Sequence, residues 1–308
     1  MKRAIIIGAT GAIGTALVQE LTDREIEVLV LCHKGSERNR RISENALVKR
    51  IFCSLEELST LENSSDLEYD VFYDLAWEGT TGQARNDMFL QNQNVKYALE
   101  AVRAAHRFGC RTFIGAGSQA EYGRVEGILR PDTPVSPDNG YGIGKLCAGY
   151  MTREFAHQLG MHHIWTRILS VYGPNDGMRS MVMSVISDLL HGETPKCTKG
   201  EQKWDYLYSG DAGRAFRLLG ERGVDGKTYV IGSGECRSLA DYIREIRDAV
   251  NPGIEIDFGA IPYANRQVMH LQADISELQR DTGFVPETSY EEGILKTVQW
   301  IKNESEEV

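Results

Sequence analysis

Apolar residues follow two rhythms along this chain. Runs of strand length stand at Ala4–Ile7, Val28–Leu31, Val71–Leu75, Thr112–Ile114 and Ile164–Leu169. Between them, apolar positions recur at helical spacing over Ile13–Leu21, roughly Arg85–Phe108 and roughly Tyr141–Leu159. Near-continuous apolar strands are what a parallel sheet needs when helices cover both of its faces. The alternation predicts right-handed crossovers and a doubly wound, Rossmann-type α/β sheet. After Gly173-Pro174 the rhythm changes. Helices are predicted at Met181–Leu190, Asp211–Leu219, Leu239–Val250, Ile275–Asp281 and Tyr290–Ile301, and strands at Asp205–Tyr208, Thr228–Ile231 and Ile254–Phe258. The acidic end, Asn303 to Val308, is expected to fray. The division expected is a dinucleotide-binding domain of residues 1–172 plus roughly 204–233, and a smaller C-terminal α/β substrate cap of roughly 173–203 and 234–308.

The first glycines carry chemistry. Gly8-Ala-Thr10-Gly11-Ala12-Ile13-Gly14 follows an apolar run and opens a helix. In that setting Gly8 permits a tight turn, Gly11 lets backbone N–H groups approach a pyrophosphate, and Gly14 lets the helix pack on the strand. The helix N-terminus adds partial positive charge. A glycine triplet alone can be a mere structural turn; the strand–turn–helix context favours a nucleotide.

A carboxylate at the end of the second strand would bind a ribose 2′-hydroxyl. Here that strand ends Cys32-His33-Lys34, and Arg38, Arg40 and Arg41 follow. Cations without a carboxylate favour a 2′-phosphate, so NADP(H) is preferred over NAD(H), with His33, Lys34 and Arg38 in the site; a plain solvated basic loop is the bland alternative.

Tyr141-Gly-Ile-Gly-Lys145 is the second motif. Residues four apart share a helix face, so the ammonium is expected to lower the phenol pKa and make Tyr141 an acid–base group. Ser118 lies just beyond the strand that begins at Thr112, where ligands of parallel sheets bind, and its hydroxyl can orient a reacting oxygen. Capping a turn is its ordinary alternative role.

Composition narrows the class. The chain has 308 residues, is 42% hydrophobic and carries a net charge of −10. That length accommodates a sizeable core, and the acidic balance argues against nucleic acid or an anionic membrane as partner. The N-terminal apolar run is too short for a signal-peptide core, and no apolar stretch reaches spanning length. The six cysteines form no CxxC pair and read as reduced thiols of a cytosolic protein. His162 and His163 are adjacent in a predicted strand, face opposite ways and have no ligands at metal spacing, so no metal is expected.

Together these residues resemble the extended short-chain dehydrogenase/reductase family of nucleotide-sugar epimerases, dehydratases and ketoreductases. The spacing of Gly8, Gly11 and Gly14 is similar to its glycine motif. Ser118 with Tyr122-Gly123 resembles its Ser/Thr-x-x-x-Tyr-Gly element, and Tyr141 with Lys145 its Tyr-x-x-x-Lys. Arg167-Ile-Leu-Ser170-Val-Tyr172-Gly-Pro174, Trp204-Asp205-Tyr206, Asn94-Val95 and Ala273-Asp274-Ile275-Ser276 are similar to further family stretches. The resemblance implies that Ser118, Tyr141 and Lys145 are catalytic. It implies that Gly8, Thr10, Gly11, Ala12, Ile13, Gly14, Leu75, Ala76, Tyr141 and Lys145 hold a nicotinamide cofactor. Trp77, Ser118, Gln119, Ser170, Arg179, Trp204 and Arg266 become candidates for binding a nucleotide-diphosphate sugar, with Lys199 as a further cation. Trp77 can equally plug the core.

The departures matter as well. Gln119 and Ala120 stand where the dehydratases carry Asp-Glu, which argues against a 4,6-dehydratase. Ser170 replaces a substrate-binding Asn, Trp204 a phosphate-binding Arg, and Glu121 a usually apolar residue. The stretches Ala76-Trp-Glu-Gly79 and Gly117-Ser-Gln-Ala-Glu-Tyr-Gly123 are similar to those of bacterial nucleotide-diphospho-4-keto-6-deoxy-sugar reductases such as CDP-abequose synthase. The first expectation is therefore a 4-ketoreductase, with Tyr141 as proton donor. An NAD-dependent nucleotide-sugar 4-epimerase is the alternative, and a non-catalytic NADP-binding regulator a third reading that the Tyr141/Lys145 pair opposes. The two long helices resemble those that pair across the family's dimer interface, so a homodimer is expected.

Overall fold

The computed structural model describes residues 1–65, 67–265 and 267–306. Seven parallel strands make the central sheet: β1 (Arg3–Ile7), β2 (Glu27–Cys32), β3 (Val48–Phe52), β4 (Val71–Asp74), β5 (Thr112–Ser118), β6 (His162–Ile168) and β7 (Thr228–Ile231). Their spatial order is β7-β6-β5-β4-β1-β2-β3, and every neighbouring pair is parallel. The expected Rossmann-type α/β sheet is the one observed.

Strand periodicity explains the layers. Ile5, Ile7, Leu29, Leu31 and Phe72 share one core with Ala101, Val102 and Ala105 of α2 (Met88–Arg107) and Ala156 of α3 (Gly140–Gln158). Ala4, Ile6, Val28 and Val30 face the other way, onto Leu17 and Leu21 of α1 (Ala12–Thr22) and Ala212 and Phe216 of α5 (Ser209–Arg222). A third cluster is formed by α4 (Met181–Leu190), α6 (Leu239–Val250) and, after the short α7 (Ser276–Thr282), α8 (Tyr290–Glu306), around Ile186, Ile246 and Ile294. The order turns back between β1 and β4, which opens a crevice beyond their C-terminal ends.

Several boundaries differ from the sequence reading. β3 was not expected, because Lys49 and Arg50 break its apolar run; it is the edge strand, where charged side chains are normal. β5 runs four residues past Ile114 because its small residues fit a crowded sheet face rather than an apolar pattern. The strand near residue 205 starts at Tyr206, since Asp205 turns inward to accept hydrogen bonds from the N–H groups of Ser233, Gly234 and Ala273. Only Asp257–Phe258 of the expected strand at 254–258 pairs, with Lys196–Cys197. α8 extends to Glu306, past the helix end expected at Ile301. Among the described residues no helix is long and apolar enough to cross a membrane.

Candidate active site

β1 runs into Gly8, whose φ of +83° lies in the left-handed region. A Cβ there would sit 2.6 Å from the backbone N of Ala76, so the turn lies flush against the end of β4. A Cβ on Gly14 would meet the Gly8 carbonyl oxygen at 2.5 Å, so α1 starts directly on the turn. Gly11 differs: a Cβ there would meet nothing within 4 Å. It faces two adjoining cavities, one of about 580 Å³ and one of about 390 Å³, which share Gly8, Gly11, Leu75, Trp77 and Thr80 along their seam. Thr10, His33, Arg38 and Ala76 line the larger; Ala12, Ile13, Gly14, Ser118, Tyr141 and Lys145 line the smaller. A backbone cradle at a helix start, next to an elongated cleft, fits a dinucleotide.

The basic stretch splits up. The 3₁₀ turn Glu37–Arg41 sends its side chains to different places. Arg38 stays on the larger cavity beside His33 and Ser36. Lys34, expected in the site, is exposed and does not line the cavity, because it stands on the solvent side of the turn after β2. Arg40 pairs with Glu304, and Arg41 donates to the carbonyls of Thr10 and Asn175 at 3.2 and 3.3 Å.

Ser118 ends β5, and Tyr141 and Lys145 stand on the first two turns of α3, whose cap is the Asn139 side chain accepting from the N–H of Gly142. Ser118 Oγ accepts from the N–H of Ala120 at 3.2 Å, so its own O–H remains to be donated. Burial raises the Tyr141 phenol above its usual value; the hydrogen bond with Ser118 and the charge of Arg85, 4.4 Å above the ring, oppose that shift. The sequence reading gave the opposing role to Lys145. In the structure the ammonium donates to the Ala116 carbonyl at 2.5 Å and lies 3.9 Å from the Trp77 ring centre and 6.0 Å from that of Tyr141. Burial lowers the Lys145 pKa and raises that of Asp74, and the attraction between the two restrains both shifts.

The expected substrate residues scatter. Trp77 is both wall and packing: it lines the two cavities, meets Tyr141 edge-on at 6.3 Å and donates from Nε1 to Gln91. Ser170 sits between the cavity residues Leu169 and Val171, and its Oγ accepts from Nε1 of Trp204 at 2.8 Å, so two separately chosen residues form one pair. Gln119 does not line the cavity, because it already belongs to a 3₁₀ turn (Gln119–Glu121) leaving the strand. Arg179 and Lys199 are exposed, outside the two cavities. Arg266 lies outside the described residues.

Several carboxylates were missed as site residues, three of them around the smaller cavity. Asp74 faces Lys145 from the end of β4, a position that parallel sheets reserve for function. Asp176 lines the smaller cavity and accepts from Ser180 Oγ. Glu121 is fully buried beneath Ser118. Among the described residues no cluster of metal-ligating side chains occurs.

A Rossmann sheet whose glycine turn opens onto a Ser118/Tyr141/Lys145 cavity defines the short-chain dehydrogenase/reductase type of fold. The chain belongs to the NAD dependent epimerase/dehydratase family, a family of enzymes, whose model matches residues 4–232. It is 29% identical to a dTDP-glucose 4,6-dehydratase of Escherichia coli over 190 residues, which are 58% of this chain and only 52% of that protein's length. It is 23% identical to the CDP-abequose synthase of Salmonella typhimurium over 297 residues, covering 94% of this chain and 95% of that one. The fold is shared with a UDP-glucuronic acid 4-epimerase from Bacillus cereus in complex with NAD, at a TM-score of 0.84 and 21% identity over 98% of this chain and 97% of that one.

Proposed function

We propose that this protein reduces a 4-keto nucleotide-diphosphate sugar with NADP(H). The observation that carries the reading is the convergence of Ser118, Tyr141 and Lys145 on one cavity that continues past Gly11 into a longer cleft. The backbone at Gly8–Ile13 would hold the pyrophosphate, and Arg38 with His33 and Ser36 a 2′-phosphate, since β2 ends in His33 rather than a carboxylate. A bound nicotinamide supplies hydride exchange at the sugar carbon. Ser118 donates to the sugar oxygen and holds it against Tyr141, whose phenol gives that oxygen its proton. A phenol pKa raised by burial keeps Tyr141 protonated, as the reducing direction requires. Lys145 places a positive charge in the smaller cavity, beside Trp77 of the seam, where the cofactor's ribose would lie.

Residues 173–203 and 234–308 are proposed to hold the nucleotide-sugar, a division supported by the separate core of α4, α6 and α8. A homodimer is proposed through α2 and α3, which pack together and leave Phe89, Ile143, Tyr150 and Met151 exposed. The six cysteines are unpaired, which supports a reducing, cytosolic setting.

The second reading is a 4-epimerase retaining NAD. Glu56 favours it, since its carboxylate lines the larger cavity and could serve a ribose hydroxyl while accepting from Tyr97. One experiment separates the two. The purified protein is mixed with dTDP-4-keto-6-deoxyglucose, or its CDP counterpart, and NADPH or NADH, and the reduced-nicotinamide absorbance is followed. Consumption of NADPH matching the sugar reduced is expected. Tightly retained NAD with interconversion of UDP-sugars, and no net consumption, would replace the reductase by the epimerase.

A further inference from the structure

Glu121 is a fully buried carboxylate. Its Oε1 accepts from the Ser118 N–H at 2.8 Å and from Trp165 Nε1 at 3.0 Å; its Oε2 accepts from Arg167 Nε at 2.8 Å. Arg167 is itself buried, donates to the Pro131 carbonyl and lies 4.6 Å from the Tyr122 ring centre. A buried carboxylate is expensive unless it is fully hydrogen-bonded, and this one is. Apolar packing alone would need no carboxylate here.

The surroundings show what the carboxylate holds. A Cβ on Gly117 would lie 2.3 Å from Glu121 Oε1, and a Cβ on Gly115 only 2.2 Å from the Trp165 ring, so β5 is stripped of side chains to admit both groups. On α3, a Cβ on Gly149 would lie 2.8 Å from the same ring, and one on Gly142 only 2.3 Å from the Ala120 carbonyl. Gly149 follows Tyr141 and Lys145 at four-residue spacing, on one helix face. The helix that bears Tyr141 and Lys145 thus rests on the Trp165 ring and on the 119–121 turn, and Glu121 ties both to the backbone of Ser118.

We propose that Glu121 is a positioning residue which, through Trp165 and the Ser118 N–H, fixes the hydroxyl of Ser118 against the phenol of Tyr141. The inference rests on the catalytic reading of that cavity. Glu121 touches neither sugar nor cofactor, so it acts on turnover and leaves binding alone.

The test uses E121Q, which preserves volume, and W165F, which removes a single donor while keeping an aromatic ring, each alone and with S118A, assayed by NADPH-dependent reduction of the 4-keto sugar. E121Q is expected to lower kcat by about tenfold, with KM and NADPH affinity within about threefold of wild type, since small misplacements at a reacting centre cost that much. W165F is expected to lower kcat less, in the same pattern. In the S118A background E121Q should cost nothing further, because its effect passes through Ser118. Undiminished kcat in folded E121Q, or a full additional loss in S118A/E121Q, would overturn the proposal while leaving the catalytic reading intact. Wild-type turnover by S118A itself would instead remove the catalytic reading, and this inference with it.

Discussion

Gly11 and Gly14 are both glycines of one turn, yet the structure assigns them opposite vulnerabilities. At Gly11 an added methyl meets nothing within 4 Å, and the backbone, at φ −89° and ψ 173°, is open to any residue. Alanine is a poorer helix cap than glycine by about 0.5–1 kcal/mol, but it lowers the entropy of the unfolded chain by about as much. G11A should therefore melt within a degree or two of wild type. The methyl would stand where the pyrophosphate approaches the turn. Loss of one charge-assisted hydrogen bond of about 1.5–3 kcal/mol weakens dinucleotide binding by about ten- to a hundredfold. At Gly14 the added methyl would lie 2.5 Å from the Gly8 carbonyl oxygen and 2.6 Å from the Ala9 Cα, both backbone atoms that cannot step aside. Overpacking of about 1–3 kcal/mol outweighs the roughly 1 kcal/mol that alanine gains in a helix, so G14A should melt a few degrees lower. Thermal melts and fluorescence titration with NADPH and NADH give both numbers for each variant. Wild-type affinity in a well-folded G11A would refute the placement of the phosphates at this turn.

Y141F should leave the melting temperature unchanged and lower turnover by at least about a hundredfold, the usual contribution of a positioned proton donor; unchanged turnover would remove Tyr141 from the chemistry. R38A should lose affinity for NADPH by about tenfold or more while keeping its affinity for NADH, and an equal loss for both would show that Arg38 does not read a 2′-phosphate. His163 lies in the core between Phe113 and Trp165, and burial lowers its pKa from 6.5 to about 3. Below pH 6.5 the unfolded chain takes up a proton that the folded chain refuses, so stability falls as the pH drops towards 3. At pH 5 that loss is about 2 kcal/mol, and H163Q should show a flatter decline between pH 7 and 5 in urea melts; an identical slope would mean that the core admits the charged ring.

The motifs readable from sequence were those whose geometry is local. Gly8, Gly11 and Gly14 occupy a single turn, and Tyr141 and Lys145 a single helix face, so spacing alone puts each set together. The basic stretch after β2 was legible only in part, for the opposite reason. Lys34, Arg38, Arg40 and Arg41 are neighbours in the chain, but a 3₁₀ turn advances each residue by a third of a revolution, and long side chains end far apart. Only Arg38 reaches the cavity; Arg41 instead braces the glycine turn from behind, through the Thr10 carbonyl.

Groups brought together across strands leave a weaker trace, and it is a trace of mismatch. Lys49 and Arg50 hid an edge strand because an edge needs no apolar run. Gly115 and Gly117 cut short the apparent length of β5, since they yield their side-chain volume to Trp165 and Glu121. Glu121 itself was visible only as a charged residue where an apolar one is usual. A buried carboxylate persists only where donors surround it, so its presence already demands partners that local spacing cannot name. Here they are Ser118, Trp165 and Arg167, drawn from two neighbouring strands. Glu121 joins the strand end bearing Ser118 to the Trp165 ring on which the helix bearing Tyr141 rests. Departures of this kind locate the supports of a site, just as conforming motifs locate its reacting groups.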